Sequence, residues 1–295
     1  MTPMLGIMAS GISGNLEKNT WTTKTNMTTA RREFGAATVG TSVYAIAGVG
    51  GTTTNEAYDT AANTWSTKTA MTAGRWALPV SAVGTVIYAI GGYTGAAESN
   101  SNYAYDTVAN TWSTKANMTT ARYSLAAGVV GTTIYLVGGY GAAGGSDKNE
   151  AYDTVANTWS TKTALPYIAY YLAGAAVSTK VYAIGGFDAS GNPLSNNYAY
   201  DTAANTWASK AAMPTARHTL AAAAVGTKIY AIGGSTGTIS ALNEAYDTVA
   251  NTWATKASMA NARNNLAAAA YSNKIYALGG NTGAGTSNIN EQYEV

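Results

Sequence analysis

The stretch YDTVANTWSTK occupies residues 105–115 and returns letter for letter at 152–162. Near copies stand at 58–68 (YDTAANTWSTK), 200–210 (YDTAANTWASK) and 246–256 (YDTVANTWATK). Aligning them brings Trp21, Trp65, Trp112, Trp159, Trp207 and Trp253 into register, at spacings of 44, 47, 47, 48 and 46 residues. A period in the forties with turn signals inside each unit indicates a propeller or solenoid, so the 295 residues read as one array rather than two ordinary domains.

Each unit holds four short segments suited to strands. The first is Ala-rich, as in LAAAAVG (220–226); the second is β-branched and ends in a glycine pair, as in IYAIGG; the third is NEAYD or NYAYD; the fourth is NTWSTK. LAAAAV alone favours helix by propensity, but a tight turn and a β-branched run follow it in every copy, which predicts a strand. From the position ten residues after each Trp (Arg31, Arg75, Arg122, Ala169, Arg217, Arg263) to the second glycine the distance is always 17 residues, and from the Tyr of Tyr-Asp to the next Trp it is always 7. Length varies only between the glycine pair and that Tyr: 10, 13, 13, 14, 12 and 13 residues. One loop per unit is free and the rest is fixed.

The repeated Gly-Gly, Tyr-Asp and Trp, at this spacing over nearly all of residues 15–295, resemble the kelch family. Ala47 departs from the pattern at the first glycine of the first pair. The resemblance implies an all-β, six-bladed β-propeller of four-stranded antiparallel blades. The ends agree with that count. The chain stops at EQYEV, where Tyr293–Glu294 takes the Tyr-Asp place with no Trp strand after it, and it begins with an orphan fourth strand, NTWTTKT (19–25). Joining the two closes the ring and leaves no sheet edge open. Residues 1–14 form an extension outside the repeats; they lack a Lys or Arg ahead of their apolar residues, so no signal peptide is expected.

Charged residues are 11% of the chain and the net charge is +2, with lysines spread one per repeat, so no basic stripe for nucleic acid exists. The longest apolar run, ALPYIAYYLAGAAV (164–177), is too short to span a bilayer. Cysteine is absent and there is one His, which excludes thiolate chemistry and the copper site of galactose-oxidase-type kelch enzymes. No phosphate-binding Gly-rich loop or metal-ligand set occurs, so neither cofactor nor metal is expected. Abundant Thr, Asn, Ala and Gly with little charge fit an extracellular setting. Oligomeric state is left open.

The framework residues have structural duties. Each Trp offers a flat surface to wedge between blades, and truncating one is expected to cost about 3–5 kcal/mol. The D-T-x-x-N turn bonds its own backbone. The arginines Arg31, Arg75, Arg122, Arg217 and Arg263 match positions that line the binding pocket in kelch relatives. They equally suit bonds to carbonyls of the next blade.

Function is expected where repetition stops. In an up-and-down blade the second-to-third and fourth-to-first loops share a face. There the position after the arginine reads Arg32, Trp76, Tyr123, Tyr170, His218 and Asn264; the next reads Glu33, Ala77, Ser124, Tyr171, Thr219 and Asn265; after the glycine pair come Val49, Tyr93, Tyr140, Phe187, Ser235 and Asn281. Turns of the other face barely change. Variable loops on a rigid scaffold carry function, which predicts a non-catalytic binding face, aromatic on blades two to four and polar on five, six and one. Such a mixture suits a glycan or a protein or peptide ligand alike. The alternatives are an assembly scaffold, from a recently amplified or partly engineered array, and an enzyme resembling the six-bladed sialic-acid epimerases. In the latter case Glu33 and His218 are the only acid–base pair on that face.

Overall fold

The computed structural model describes residues 18–295. All regular structure there is strand, and six four-stranded antiparallel sheets stand around a channel. Blade 1 is typical: Gly35–Val39 lies innermost, followed by Ser42–Ile46, Asn55–Asp59 and Thr64–Thr67. Blade 6 takes three strands from the C-terminus and its outermost one, Thr20–Lys24, from the other end of the chain. That strand pairs with Asn290–Glu294 in the register Thr20↔Glu294 through Lys24↔Asn290, placing Trp21 opposite Tyr293 as Trp65 stands opposite Tyr58. The expected closure is therefore present residue for residue. The extension at 1–14 lies outside the described residues.

The innermost strands are Ala- and Gly-rich because they crowd one another. A Cβ on Gly35 would meet Val80 Cγ2 at 2.1 Å, and one on Gly174 would meet the Ala127 backbone at 2.6 Å. Packing overrides helix propensity here, and LAAAAV forms the strand Ala221–Val225. Six apolar clusters hold the ring, each shared by two neighbouring blades. Their wedges are tyrosines more than tryptophans. Tyr58, Tyr105, Tyr152, Tyr200, Tyr246 and Tyr293 are fully buried, and each ring meets a second-strand Tyr of the preceding blade, as Tyr58 meets Tyr276 at 5.5 Å.

The Trp indoles are only partly buried, in tilted contact with those same tyrosines at centroid distances of about 5 Å. Each indole N–H donates to a backbone carbonyl just past the outer strand of the preceding blade, as Trp65 Nε1 does to Thr25 O at 2.8 Å. The repeat's Asn works beside it. Asn63 sits at φ +57°, and its Oδ1 accepts both Tyr58 Oη (2.7 Å) and the Thr25 N–H (3.0 Å). The Asp is local: Asp59 Oδ1 accepts the N–H groups of Ala61 and Ala62. The phrase that returns in every unit is thus both a turn and a clamp onto the blade before it.

The glycine pair is a second clamp. The second residue of each pair donates its N–H to the carbonyl of the arginine-position residue in the next blade at 2.8–2.9 Å, Ala169 serving as well as any arginine. That second residue lies at φ of about +95°, where a Cβ on Gly48 would meet Phe34 Cβ at 2.5 Å; only Gly fits. The first lies near +65°, which Ala47 adopts.

Candidate functional site

The fourth-to-first and second-to-third loops meet on one face, where the unlike residues pair across isolated bridges: Arg32↔Val49, Trp76↔Tyr93, Tyr123↔Tyr140, Tyr170↔Phe187, His218↔Ser235 and Asn264↔Asn281. Beside them Glu33, Ala77, Ser124, Tyr171, Thr219 and Asn265 all adopt left-handed backbone, φ +52° to +55°. Each donates its N–H to the carbonyl of its counterpart one blade back at 2.6–2.9 Å, and Glu33 donates to Asn265, completing the circle. Six amides form a closed belt around the channel mouth. Beneath it Phe34, Leu78, Leu125, Leu172, Leu220 and Leu266 make a buried apolar ring. Belt and ring together line a pocket of about 90 Å³.

Around this pocket runs an arc of aromatic rings. Centroid separations are 5.5 Å from Trp76 to Tyr93, 5.4 to Tyr123, 5.6 to Tyr140, 5.1 to Tyr170, 5.5 to Phe187 and 3.8 to His218. Tyr171, on the belt, touches the arc from inside, 6.4 Å from Tyr123 and 6.0 Å from Tyr170. The rings are half-buried, each fixed by its neighbours and open on one side. Burial and the nearby Tyr171, Tyr140, Glu98 and Tyr93 push the Tyr123 phenol up to about 12, so it is a neutral hydrogen-bonding group at all ordinary pH.

The polar side of the mouth is blades 5, 6 and 1. Arg32 Nη1 donates to Thr286 Oγ1 of blade 6 at 2.7 Å, while its Nε stands 3.9 Å from Glu33 Oε1. Burial raises the Glu33 carboxyl above its ordinary value, against a smaller lowering by Arg32. Tyr171 across the mouth feels the Glu33 charge, which adds to burial in raising its phenol. His218 lies stacked on Phe187 with Nδ1 3.3 Å from Thr219 Oγ1, and burial depresses its pKa, so it is neutral at pH 7. Glu33 answers to Arg32 and Tyr171, and His218 to Phe187 and Thr219. The two candidate acid–base groups share the mouth without acting on one another. Asn264 has its side chain near Asn265 at 3.5 Å.

The arginines behave otherwise than ligand-binding residues must. Arg31, Arg75, Arg122, Arg217 and Arg263 are 0–1% exposed, beyond the reach of any ligand on this face. Four pair with buried carboxylates from the third strand: Arg31–Glu56, Arg122–Glu150 and Arg263–Glu291 at 2.5 Å and Arg217–Glu244 at 2.8 Å. They also donate to carbonyls of their own blade, as Arg31 does to Ala45, Ala47 and Thr54, rather than to those of the next one. In blade 2 the carboxylate is replaced by Tyr103, whose ring stands 4.8 Å from the Arg75 guanidinium, and desolvation brings that arginine down to about 10. Blade 4 has neither charge: Ala169 replaces the arginine, Tyr198 the glutamate, and the Tyr167 ring meets Tyr198 at a tilt, 5.0 Å between centroids. The sequence held a partial signal for this, because Tyr198 and Ala169 occur in the same unit. The amide belt and the Leu ring were missed.

No helix among the described residues is long and apolar enough to cross a membrane, and no group of three or more His, Asp or Glu there could hold a metal ion. No curated protein matches the sequence. Among solved structures, one titled "Structure of YjhT" superposes with a TM-score of 0.80 at 16% identity, over 90% of this chain and 95% of that one, which shows the fold. The family model described as the KLHDC2/KLHL20/DRC7 Kelch-repeats domain matches residues 34–233 and 124–294. With six blades in register and that match spanning nearly every one of them, the chain belongs to the kelch-repeat family, whose propellers are generally non-catalytic binding and scaffolding modules.

Proposed function

We propose that this propeller is a non-catalytic binding module whose site is the aromatic arc and the channel mouth it encloses. The observation that carries this reading is continuity. Seven side chains from four blades touch ring to ring on the one face where the repeats differ. A rigid, half-exposed aromatic surface loses little side-chain entropy on binding, and it supports stacking of sugar C–H faces or of peptide side chains. The ligand class is a glycan or a protein segment. Glycan and peptide arrays probed with the intact chain test it. Trp76→Ala and Tyr170→Ala are expected to abolish capture while shifting the melting temperature by no more than about 2–4 °C, the equivalent of about 1 kcal/mol. Retained capture with a large loss of stability would reassign both rings to the core.

A second reading, a sugar epimerase, draws support only from the raised Glu33 carboxyl, suited to general-acid work. Epimerisation of a free sugar acid that is lost in Glu33→Gln would promote it.

A further inference from the structure

Glu33 is the one charged residue lining the mouth pocket. Its side chain is 17% exposed. The nearest cation, Arg32 Nε at 3.9 Å, belongs to a guanidinium that is tied by its Nη1 to Thr286. The other polar residues lining the pocket are Ser124, Tyr171, Thr219 and Asn265. The Tyr171 phenol lies near enough to feel the Glu33 charge and interacts with the buried Ser124 hydroxyl. The floor is the Leu ring, which offers no donor. The pocket therefore holds one carboxylate whose nearest cation stands 3.9 Å away, among neutral groups that both donate and accept, with aromatic faces along one side.

We propose that the mouth pocket is a primary-ammonium subsite: an R–NH₃⁺ group of the ligand enters between Glu33 and Tyr171 while the rest of the ligand lies on the arc. Three N–H donors match the carboxylate and the two hydroxyls. The cation gives a closer counter-charge to a carboxylate that is costly to bury, and adjacent rings add cation–π attraction. At about 90 Å³ the pocket has room for a small group such as an ammonium and the atoms next to it. A lysine side chain and an amino sugar both supply such a group. This inference rests on the binding-face reading above.

The test titrates the intact chain with n-butylammonium, n-butanol and butyrate, following backbone amide shifts. A charge-assisted hydrogen bond predicts that butylammonium binds about tenfold or more tighter than the other two, with shifts centred on Glu33, Ser124 and Tyr171. Glu33→Gln should remove that preference and Glu33→Asp should keep part of it. Binding of the three probes within about threefold of each other, tighter binding of butyrate, or an unchanged preference in Glu33→Gln overturns the proposal. A lysine peptide and glucosamine, run as competitors, distinguish the two sources. If array ligands depend on Trp76 but ignore Glu33→Gln and butylammonium, the subsite fails while the binding face stands. If no ligand depends on Trp76, the binding face itself fails.

Discussion

Glu150→Ala tests whether the hidden arginines are structural. Arg122 is fully buried; its Nη2 meets Glu150 Oε2 at 2.5 Å, and its Nη1 donates to the carbonyls of Gly138 and Lys148. Deleting the carboxylate leaves a guanidinium with dipoles for company and no counter-charge, a change that costs about 3–5 kcal/mol. At about 2 °C per kcal/mol for a domain of this size, the melting temperature should fall by about 6–10 °C. The protein supplies its own controls. Glu150→Tyr copies blade 2, where Arg75 lies over Tyr103, and should recover part of the loss through about 0.5–2 kcal/mol of cation–π attraction. Thr120→Tyr with Arg122→Ala and Glu150→Tyr copies blade 4 and removes the charges together; exchanging a buried ion pair for packed apolar groups is near neutral. Circular dichroism melts and urea titrations of the three variants at pH 7 give the ranking. A structural role for the buried arginine is refuted if Glu150→Ala lies within about 1 kcal/mol of the parent, or if the triple variant is the least stable of the set.

Other outcomes follow from the same geometry. Burial raises the Glu33 carboxyl, so the folded state keeps this proton to higher pH than the unfolded chain does. Its contribution to stability therefore falls as pH rises from the ordinary carboxylate value of 4.5 through the raised one. Urea midpoints between pH 4 and 8 should show Glu33→Gln lacking that decline and matching or exceeding the parent at pH 7; parallel curves would contradict it. Asn157→Ala loses bonds to Tyr152 Oη and the Ala116 N–H and places Ala at φ +55°, a cost of about 2–3 kcal/mol, with Asn157→Gly milder; equal losses would mean that the bonds alone matter. Deleting residues 1–25 strips blade 6 of its outer strand and exposes the Asn290–Glu294 edge. The shortened chain should self-associate on size-exclusion chromatography, and a peptide of residues 15–27 should reverse this; a stable monomer would refute the closure argument.

Blade number, strand order and closure were legible because they are stated six times over, and any one copy corrects ambiguity in another. LAAAAV is ambiguous alone but not between a Leu-capped loop and KIYAIGG. Packing roles were less legible. Each Trp reads as the wedge, but Tyr58 and Trp65 stand opposite in register and share a sheet face, and it is the outermost place of the fourth strand that leaves Trp65 half-exposed and holding on by its N–H. The arginines stayed ambiguous because pocket lining and a structural role call for the same residue at the same place; the Glu two residues before the Tyr-Asp tyrosine in four units was the discriminating letter, and Tyr103 blurs it. The amide belt was invisible in principle. Its six members are Glu, Ala, Ser, Tyr, Thr and Asn, residues with no common preference for left-handed backbone, imposed there by the ring as a whole.

That belt is made of main-chain atoms alone, so it does not depend on which side chains hang from it. A Thr, branched at Cβ, already holds the same angle as an Ala or a Tyr. The lip of the tunnel is in effect a six-position keyboard mounted on a frame that does not bend when a key is exchanged. New recognition chemistry can be written there one blade at a time, with the joints between blades left as they are.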